Sequence, residues 1–171
     1  ALRARVEKLP HYGQADTPEA MAKHEIMKAK LQGFINPNIA MAKCGDKDQD
    51  YPTQYACAIA YYQLREPDKA LKRLEPMLAA QPNNPFLWEL KGQILFEFAR
   101  AAEAEAPQRK SVELKPDAPL LRVNLGQTLI ALPDKAKIEE GVQELKKSLD
   151  QDGDNAVAWR LLAEAYATQG K

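Results

Sequence analysis

From about residue 58 onward, small residues and turn-forming residues recur in this sequence at a spacing of 34. Pro82 and Pro116 form one such pair, and Gly92 and Gly126 form another. After Gly126 the pattern continues at a spacing of 37, as far as Ala163, because three extra residues lie in the stretch ALPDKAKIEEG. A period of this length indicates structural units that stack on one another and complete a shared core.

Each unit is predicted to be a pair of antiparallel helices. Leu, Ala, Glu, Lys and Gln dominate the composition, which favours helix. Small residues, such as Gly92 in a first helix and Ala104 in a second, stand where two helices would cross closely. Pro or Gly ends each unit, and Asn or Asp forms the turn. Ser111 and Ser148 occupy another small packing position, so we interpret them as structural and not as nucleophiles.

These residues and spacings resemble the tetratricopeptide repeat (TPR). The resemblance implies an all-α fold, a right-handed solenoid of antiparallel helix pairs. We expect a TPR array at 51–171, with full repeats at 51–84, 85–118 and 119–155 and a truncated repeat at 156–171. Pro76 and Pro107 fall inside second helices, where proline removes a backbone hydrogen bond. Kinks or late helix starts are therefore expected at these two positions.

The first 50 residues differ from the repeats. A short helix is predicted before Pro10. Thr17 followed by Pro18, and Asn36 followed by Pro37, are each typical of a helix start. We therefore expect residues 1–50 to form N-terminal helices that include a degenerate capping helix pair.

Composition excludes some classes of function. Lys plus Arg and Asp plus Glu number 24 each, so no basic field points to nucleic acid or to an anionic membrane surface. The longest apolar run, Tyr55 to Tyr62, is too short to span a bilayer. Because the chain begins at Ala1 without an initiator Met, we expect a processed protein or a piece of a longer one.

The stretch AKHEIMKAKLQGF, residues 22–34, contains the first two letters of the zinc-protease motif His-Glu-x-x-His. The second histidine is missing, because Lys28 stands where a metal ligand is required. His24 shares a helical stripe with Met27 and Leu31, so we interpret it as a histidine on an apolar face and not as a ligand. We expect no catalytic residue, no metal site and no cofactor.

The two cysteines, Cys44 and Cys57, lack the closely spaced partners of a metal site. We favour the interpretation that Cys57 is a small buried side chain within the apolar run. A Cys44–Cys57 disulfide in an oxidising compartment is one alternative, and a reactive thiol is another.

Three segments carry a second resemblance: HYGQADTPEAMAKHEIMKAKLQGF, YACAIAYYQLREPDKAL and NPFLWELKGQILFE. They resemble the C-terminal half of bacterial periplasmic zinc metallopeptidases of the CAAX-protease-like group, over essentially the whole chain. In that group a catalytic domain with His-Glu-x-x-His comes first, and none of its zinc ligands falls in this sequence.

The resemblance implies a non-catalytic, protein-binding domain of a periplasmic peptidase that acts in outer-membrane protein quality control and assembly. Such a domain packs on the protease domain and binds substrate or the assembly machinery. A free-standing TPR adaptor or co-chaperone scaffold is the alternative, and an enzyme in its own right is a distant third.

In TPR solenoids the first helices line a concave groove, and side chains one turn apart point into it. We expect a protein or peptide ligand there, the parent's own protease domain being one candidate. Core packing is the alternative for several positions, and only Asn124 has the polar character that a carboxylate clamp needs. The predicted groove residues are Tyr55, Ile59, Tyr62, Phe86, Glu89, Gln93, Phe96, Val123, Gln127 and Ile130.

The last segment, AVAWRLLAEAYATQGK, is a first helix without a second. We expect Leu162, Ala165 and Tyr166 to face the position of the absent helix. This end should therefore be the least stable part of the solenoid, or be covered by a neighbouring molecule, as in a dimer through this helix.

Overall fold

The structure, a computed structural model, describes Cys44 and residues 51–168. The predictions for the rest of 1–50, including His24 and the capping helices, and for 169–171 lie outside the described residues. The described part contains seven α-helices and no strand, so the all-α prediction is confirmed there. The helices are α1 (Tyr51–Gln63), α2 (Pro67–Ala80), α3 (Pro85–Glu97), α4 (Ala101–Leu114), α5 (Pro119–Ile130), α6 (Lys135–Gln151) and α7 (Ala156–Thr168).

The chain forms two compact units, Ala1–Pro82 and Asn83–Lys171. In the first unit α1 packs against α2. The small residues Ala58 and Ala70, predicted at the helix crossing, are fully buried together with Leu74. Two small residues at the crossing allow the backbones of α1 and α2 to approach each other closely.

Cys44 and Cys57 form a disulfide, with their Cα atoms 5.7 Å apart. Our preferred interpretation of Cys57 as a free buried side chain was therefore wrong, and so was the reactive thiol. Cys57 is buried, as expected, but it is also bonded to a residue 13 positions earlier. Sequence spacing could not decide this, because the path of the chain between the two cysteines determines whether they meet.

In the second unit α3 packs against α4, and α5 packs against α6. Contacts of α5 with both α3 and α4, and of α7 with α5 and α6, join these pairs into a stack. One core cluster lies between α5, α6 and α7. Its buried residues are Val123, Val142, Leu145, Ala158, Leu161, Leu162 and Ala165.

The two predicted structural serines are buried and donate hydrogen bonds. Ser111 Oγ donates to the carbonyl of Gln108 (2.8 Å), and Ser148 Oγ donates to the carbonyl of Pro119 (3.0 Å). Their structural role is supported, because both side chains are fully buried and each hydroxyl has a backbone acceptor.

Prolines, a capping side chain and turns with a positive φ mark the ends of the helices. Proline stands at the first position of α3 and α5, and Asn84 Oδ1 accepts a hydrogen bond from the backbone N–H of Phe86 at the start of α3 (3.1 Å). The turns that follow α1 and α3 place Arg65 and Ala99 at a positive φ, of 64° and 60°. These two residues are 34 apart, so the left-handed turn belongs to the repeat even though neither residue is glycine.

Two glycines of the second unit, Gly126 and Gly141, lie where α5 and α6 approach each other closely. A Cβ added to Gly126 would lie 3.0 Å from the carbonyl oxygen of Gly141, and a Cβ added to Gly141 would lie 2.8 Å from that of Gly126. The absence of both side chains allows α5 and α6 to cross with their backbones in contact.

The two prolines inside second helices do not delay the start of those helices. The helix α2 continues through Pro76, and α4 begins at Ala101, well before Pro107. Of the two expected outcomes, a late helix start is therefore wrong, and a kink at each proline stays a prediction. Each second helix is held by the first helix of its own pair, and this packing maintains the helix where one backbone hydrogen bond is lost.

The three extra residues of the third repeat lengthen its second helix. The helix α6 has 17 residues where α2 and α4 have 14, and the additional length lies before Gly141. Asp134 caps this added turn by accepting hydrogen bonds from Ala136 N (2.8 Å) and Lys137 N (3.3 Å). Lys137, on the same turn, reaches Glu105 of α4 at 2.5 Å.

A part-exposed ion-pair network joins α4 to α6. Arg109 pairs with Glu140 (2.5 Å) and Glu105 (3.0 Å), and Lys137 pairs with Glu105. The hydrogen bond from Lys137 lowers the pKa of Glu105, and the hydrogen bond from Arg109 lowers the pKa of Glu140. A lowered carboxyl pKa contributes stability above the unfolded value, about 4.3, and this stability is lost as the pH falls through the folded value.

We therefore expect the double variant Glu105→Gln/Glu140→Gln to be less stable than the parent at pH 7, by about 1 kcal/mol or less because the pairs are part exposed. The difference should shrink as the pH falls below about 4.3. Urea unfolding between pH 7 and pH 3 measures it, with Glu75→Gln, exposed on α2, as the control. A difference that stays constant across this range would contradict the assigned network.

Candidate protein-binding site

A cavity of about 100 Å³ opens among α3, α4 and α5 of the second unit. Three predicted groove residues, Gln93, Phe96 and Gln127, line it. Gln93 and Gln127 are 34 apart and so occupy the same position in successive repeats. The described residues that line it are Gln93, Phe96, Glu97, Gln108, Asn124, Gln127 and Thr128.

Three other predicted groove residues belong to the core. Tyr55, Ile59 and Val123 are buried, and Val123 packs within the cluster between α5, α6 and α7. A first helix in a stack contacts its own second helix and also its neighbours, so only a narrow strip of its surface stays open. Because these three side chains are buried, a ligand in the groove could not contact them, and their assignment to the groove was wrong.

Glu89 is also largely buried, and it lies beside the cavity lining. Its Oε1 accepts a hydrogen bond from Nδ2 of Asn124 (3.1 Å). Asn124 was the one residue with the character of a carboxylate clamp, and its amide donor is directed at a carboxylate of the protein. This arrangement disfavours a ligand carboxylate at the same place.

The remaining predicted residues, Phe86, Ile130 and Tyr62, are half-buried and lie outside the cavity lining. Ile130 packs against the core cluster of α5, α6 and α7. Phe86 stands in the first turn of α3, and Tyr62 belongs to the first unit. Their place in a binding surface stays a prediction.

Gln108 was missed by the sequence reasoning because it lies on a second helix. Its position in the repeat is held by Leu74 in the previous unit and by Leu145 in the next, at spacings of 34 and 37. A Cβ added to Gly92 would lie 2.6 Å from Gln108 Cδ, so this glycine makes room for the side chain. A glutamine in a leucine position was the signal that could have found it.

Three side chains of the cavity lining, Gln93, Asn124 and Thr128, donate hydrogen bonds within the protein. Gln93 Nε2 donates to Glu97 Oε1 (3.1 Å), and Thr128 Oγ1 donates to the carbonyl of Asn124 (2.9 Å). Gln108 is 1% exposed, and its Oε1 has no hydrogen-bond partner among the described residues. The lining therefore includes one buried acceptor, Gln108 Oε1, that is unpaired among the described residues.

The helix α7 differs from the expectation for an uncovered end. Leu162 and Ala165 are buried in the core cluster, and only Tyr166 of the three predicted residues is half exposed. They pack on α5 and α6 because they share one face of α7. The exposed large apolar residues of α7 are instead Val157, at 49%, and Trp159, at 57%. A dimer through α7 stays a prediction.

Within Cys44 and 51–168, no three His, Cys, Asp or Glu side chains are grouped as metal ligands would be. In the same residues no helix has the length and apolar character needed to cross a membrane.

A sequence profile described as the cytochrome c-type biogenesis protein H TPR domain matches residues 70–171, which is more than half of the chain. The chain belongs to this TPR family. Its repeats are thus TPR units, and the chain is a TPR protein-interaction domain, as the resemblance implied.

The beta-barrel assembly-enhancing protease of Yersinia pestis is 28% identical to this TPR domain over 126 residues. The match covers 74% of the chain and 25% of the protease. The protein of the same name from Escherichia coli K12 is 28% identical over 123 residues. The chain therefore spans about a quarter of the length of the curated relatives it matches.

Solved structures of other TPR proteins are similar in fold. MamA from MSR-1 superimposes with a TM-score of 0.67 at 20% identity, over 87% of this chain and 84% of MamA. The first TPR of Spaghetti (RPAP3), bound to the HSP90 peptide SRMEEVD, gives 0.61 at 21% identity, over 67% of this chain and 88% of that one. The predicted helical repeat solenoid is confirmed.

Proposed function

We propose that this TPR domain is the non-catalytic, protein-binding domain of a periplasmic zinc metallopeptidase that acts in outer-membrane protein quality control and assembly. The proposal is supported by the 28% identity to beta-barrel assembly-enhancing proteases over about three quarters of the chain. In this proposal the zinc and the catalytic residues belong to a separate domain of the parent. The TPR domain packs on that domain and binds substrate or assembly machinery.

The disulfide supports the periplasmic location. Structural disulfides persist in oxidising compartments, including the bacterial periplasm, and are rare in the cytosol. The Cys44–Cys57 disulfide joins two residues that are 13 apart. In a reducing compartment the two cysteines would remain thiols, and the disulfide would not form.

The observation that carries the binding role is the cavity of the second unit. Gln93 and Gln127 occupy equivalent positions on successive first helices, and Phe96 lies beside them. A side-chain amide can donate to and accept from the main chain of an extended segment at the same time. An aromatic ring beside two amides supplies the apolar anchor that protein interfaces commonly use.

We expect the double variant Phe96→Ala/Gln127→Ala to bind an unfolded outer-membrane protein about thirtyfold more weakly than the parent, since a buried aromatic anchor contributes about 2 kcal/mol. The probe is a fluorescently labelled outer-membrane β-barrel protein, kept unfolded in dilute urea, and its anisotropy reports binding. Circular dichroism verifies that the variant keeps its helix content.

The matched control is Val157→Ala, which truncates an exposed apolar side chain on α7 outside the cavity. It should bind as the parent does. Equal binding by the parent and the double variant would overturn the site. If only Val157→Ala binds more weakly than the parent, the binding surface lies on α7 and not at the cavity.

A free-standing TPR adaptor or co-chaperone scaffold is the second candidate, favoured by the profile match to the TPR domain of a biogenesis protein that is not named as a peptidase. The reading frame upstream of Ala1 separates the two candidates. A His-Glu-x-x-His motif within about 200 residues, one domain length, supports the peptidase. A stop codon or an unrelated domain there supports the adaptor.

A further inference from the structure

We propose that the cavity of the second unit takes a basic side chain, arginine in preference to lysine, from the polypeptide segment that the domain binds. The inference rests on the proposed function in one respect, that the bound molecule is a polypeptide. It adds a chemical specificity, because it states which side chain enters the cavity and which atoms recognise it.

The first support is the unpaired acceptor of Gln108. Buried polar side-chain atoms nearly always have a hydrogen-bond partner, and an exception requires a specific explanation. Gln108 is 1% exposed, its Oε1 has no partner among the described residues, and its side chain lines the cavity. A ligand that satisfies this oxygen has to be a hydrogen-bond donor.

The second support is the balance of charge and of donors in the lining. Glu97 contributes a carboxylate, and the described residues of the lining include no Lys or Arg. The donors of Gln93 and Thr128 are directed at protein oxygens, and the donor of Asn124 is directed at buried Glu89. An anionic ligand would find two carboxylates near the cavity, whereas a cation would find the carboxylate of Glu97 and the unpaired oxygen of Gln108.

The third support is the shape of the cavity and the ring beside it. A volume of about 100 Å³ admits the head group of one side chain, but not a helix or a strand. The guanidinium group of arginine is planar, donates in several directions and stacks on aromatic rings. It can therefore pair with Gln108 and Glu97 while it contacts Phe96, which a lysine ammonium does less well.

The test uses the blocked peptide Ac-Val-Thr-Arg-Thr-Val-NH2 and its citrulline counterpart, which is nearly the same shape and is neutral. Titration into the ¹⁵N-labelled chain, followed through the side-chain amides of Gln93, Asn124 and Gln127, gives both affinities. We expect the arginine peptide to bind at least about tenfold more tightly, because a hydrogen-bonded charge pair is lost with citrulline. A lysine peptide should fall between the two.

Gln108→Leu removes the acceptor and restores the residue type found at Leu74 and Leu145. It should bring the arginine-to-citrulline affinity ratio close to one, while its melting temperature is equal to or above that of the parent. Glu97→Gln should also lower the ratio. Glu113→Gln, which removes a carboxylate from an exposed site on α4 outside the cavity, should leave the ratio unchanged.

Equal affinities for the two peptides would overturn the inference. So would an absence of shifts at millimolar arginine peptide, or an unchanged ratio in Gln108→Leu. These failures differ from a failure of the proposed function, which is tested by capture of the unfolded β-barrel protein. If the domain captures that protein but does not distinguish arginine from citrulline, only the inference about the cavity is lost.

Discussion

Reduction of the Cys44–Cys57 disulfide is expected to lower the stability of the first unit by about 3 kcal/mol. The bond closes a loop across a separation of 13 residues, and constraining a loop of about this length in the unfolded chain is worth roughly 3 kcal/mol in the chain-entropy model. Amide hydrogen exchange in α1 and α2 measures the stability of this unit most directly. Amides that exchange through unfolding of this unit should exchange about a hundredfold faster after reduction, because each tenfold corresponds to about 1.4 kcal/mol.

The double variant Cys44→Ala/Cys57→Ala provides the control. It should show the fast exchange with and without reductant, so that any effect of the reductant on the parent is assigned to this bond. The amides of α6, in the second unit, serve as the internal reference. Exchange in α1 that does not respond to reduction would show that the disulfide does not stabilise the fold.

Gly141→Ala is expected to destabilise the second unit by roughly 1–3 kcal/mol, the usual cost of adding atoms to a tightly packed core. The new Cβ would lie 2.8 Å from the carbonyl oxygen of Gly126 and 2.9 Å from Ile130 Cγ1. The oxygen belongs to the backbone of α5, so relief requires the two helices to separate. In a helix interior, alanine is otherwise preferred over glycine by about 1 kcal/mol, and the contact must outweigh that preference.

Gly153→Ala is the matched control, because a Cβ there would meet only Leu149 O, at 3.7 Å. Urea unfolding followed by far-ultraviolet circular dichroism compares the two variants with the parent. We expect a lower midpoint for Gly141→Ala and an unchanged midpoint for Gly153→Ala. A Gly141→Ala variant as stable as the parent would mean that α5 and α6 do not cross at these glycines.

The fold could be predicted from the sequence because the same small residues and turn residues recur in successive repeats, and each recurrence indicates the same helix pair. Gly92 and Gly126 mark the helix crossings, Pro82 and Pro116 mark the ends of repeats, and the period of 34 residues links them. The continuity of α4 through Pro107 could not be predicted, since it depends on packing against another helix. The same holds for Cys44, whose partner depends on the path of the intervening chain.

The candidate site could be predicted only in part. Gln93, Phe96 and Gln127 were chosen from their place on first helices, and the structure brings them together. The same rule also selected Tyr55 and Val123, which are buried, because helical periodicity defines a face but not the width that neighbouring helices leave uncovered. Gln108 enters from the second helix, in a register position where leucine was expected.

The added turn of α6 bears on how such arrays can change length during evolution. An insertion of three residues advances a helix by about 300°, only about 60° short of a full turn. Here it lies before the packing residues Gly141, Leu145 and Ser148. The turn that precedes α6 is one residue longer than the corresponding turn before α4, but α5 is one residue shorter than α3, so these two differences cancel. The stacking face therefore keeps its alignment, and the array acquires Lys137, whose partner lies in the preceding repeat. Insertions of three or four residues are thus the length changes that a second helix can accept with little rotation, whereas insertions of one or two would turn its start away from the neighbouring helix.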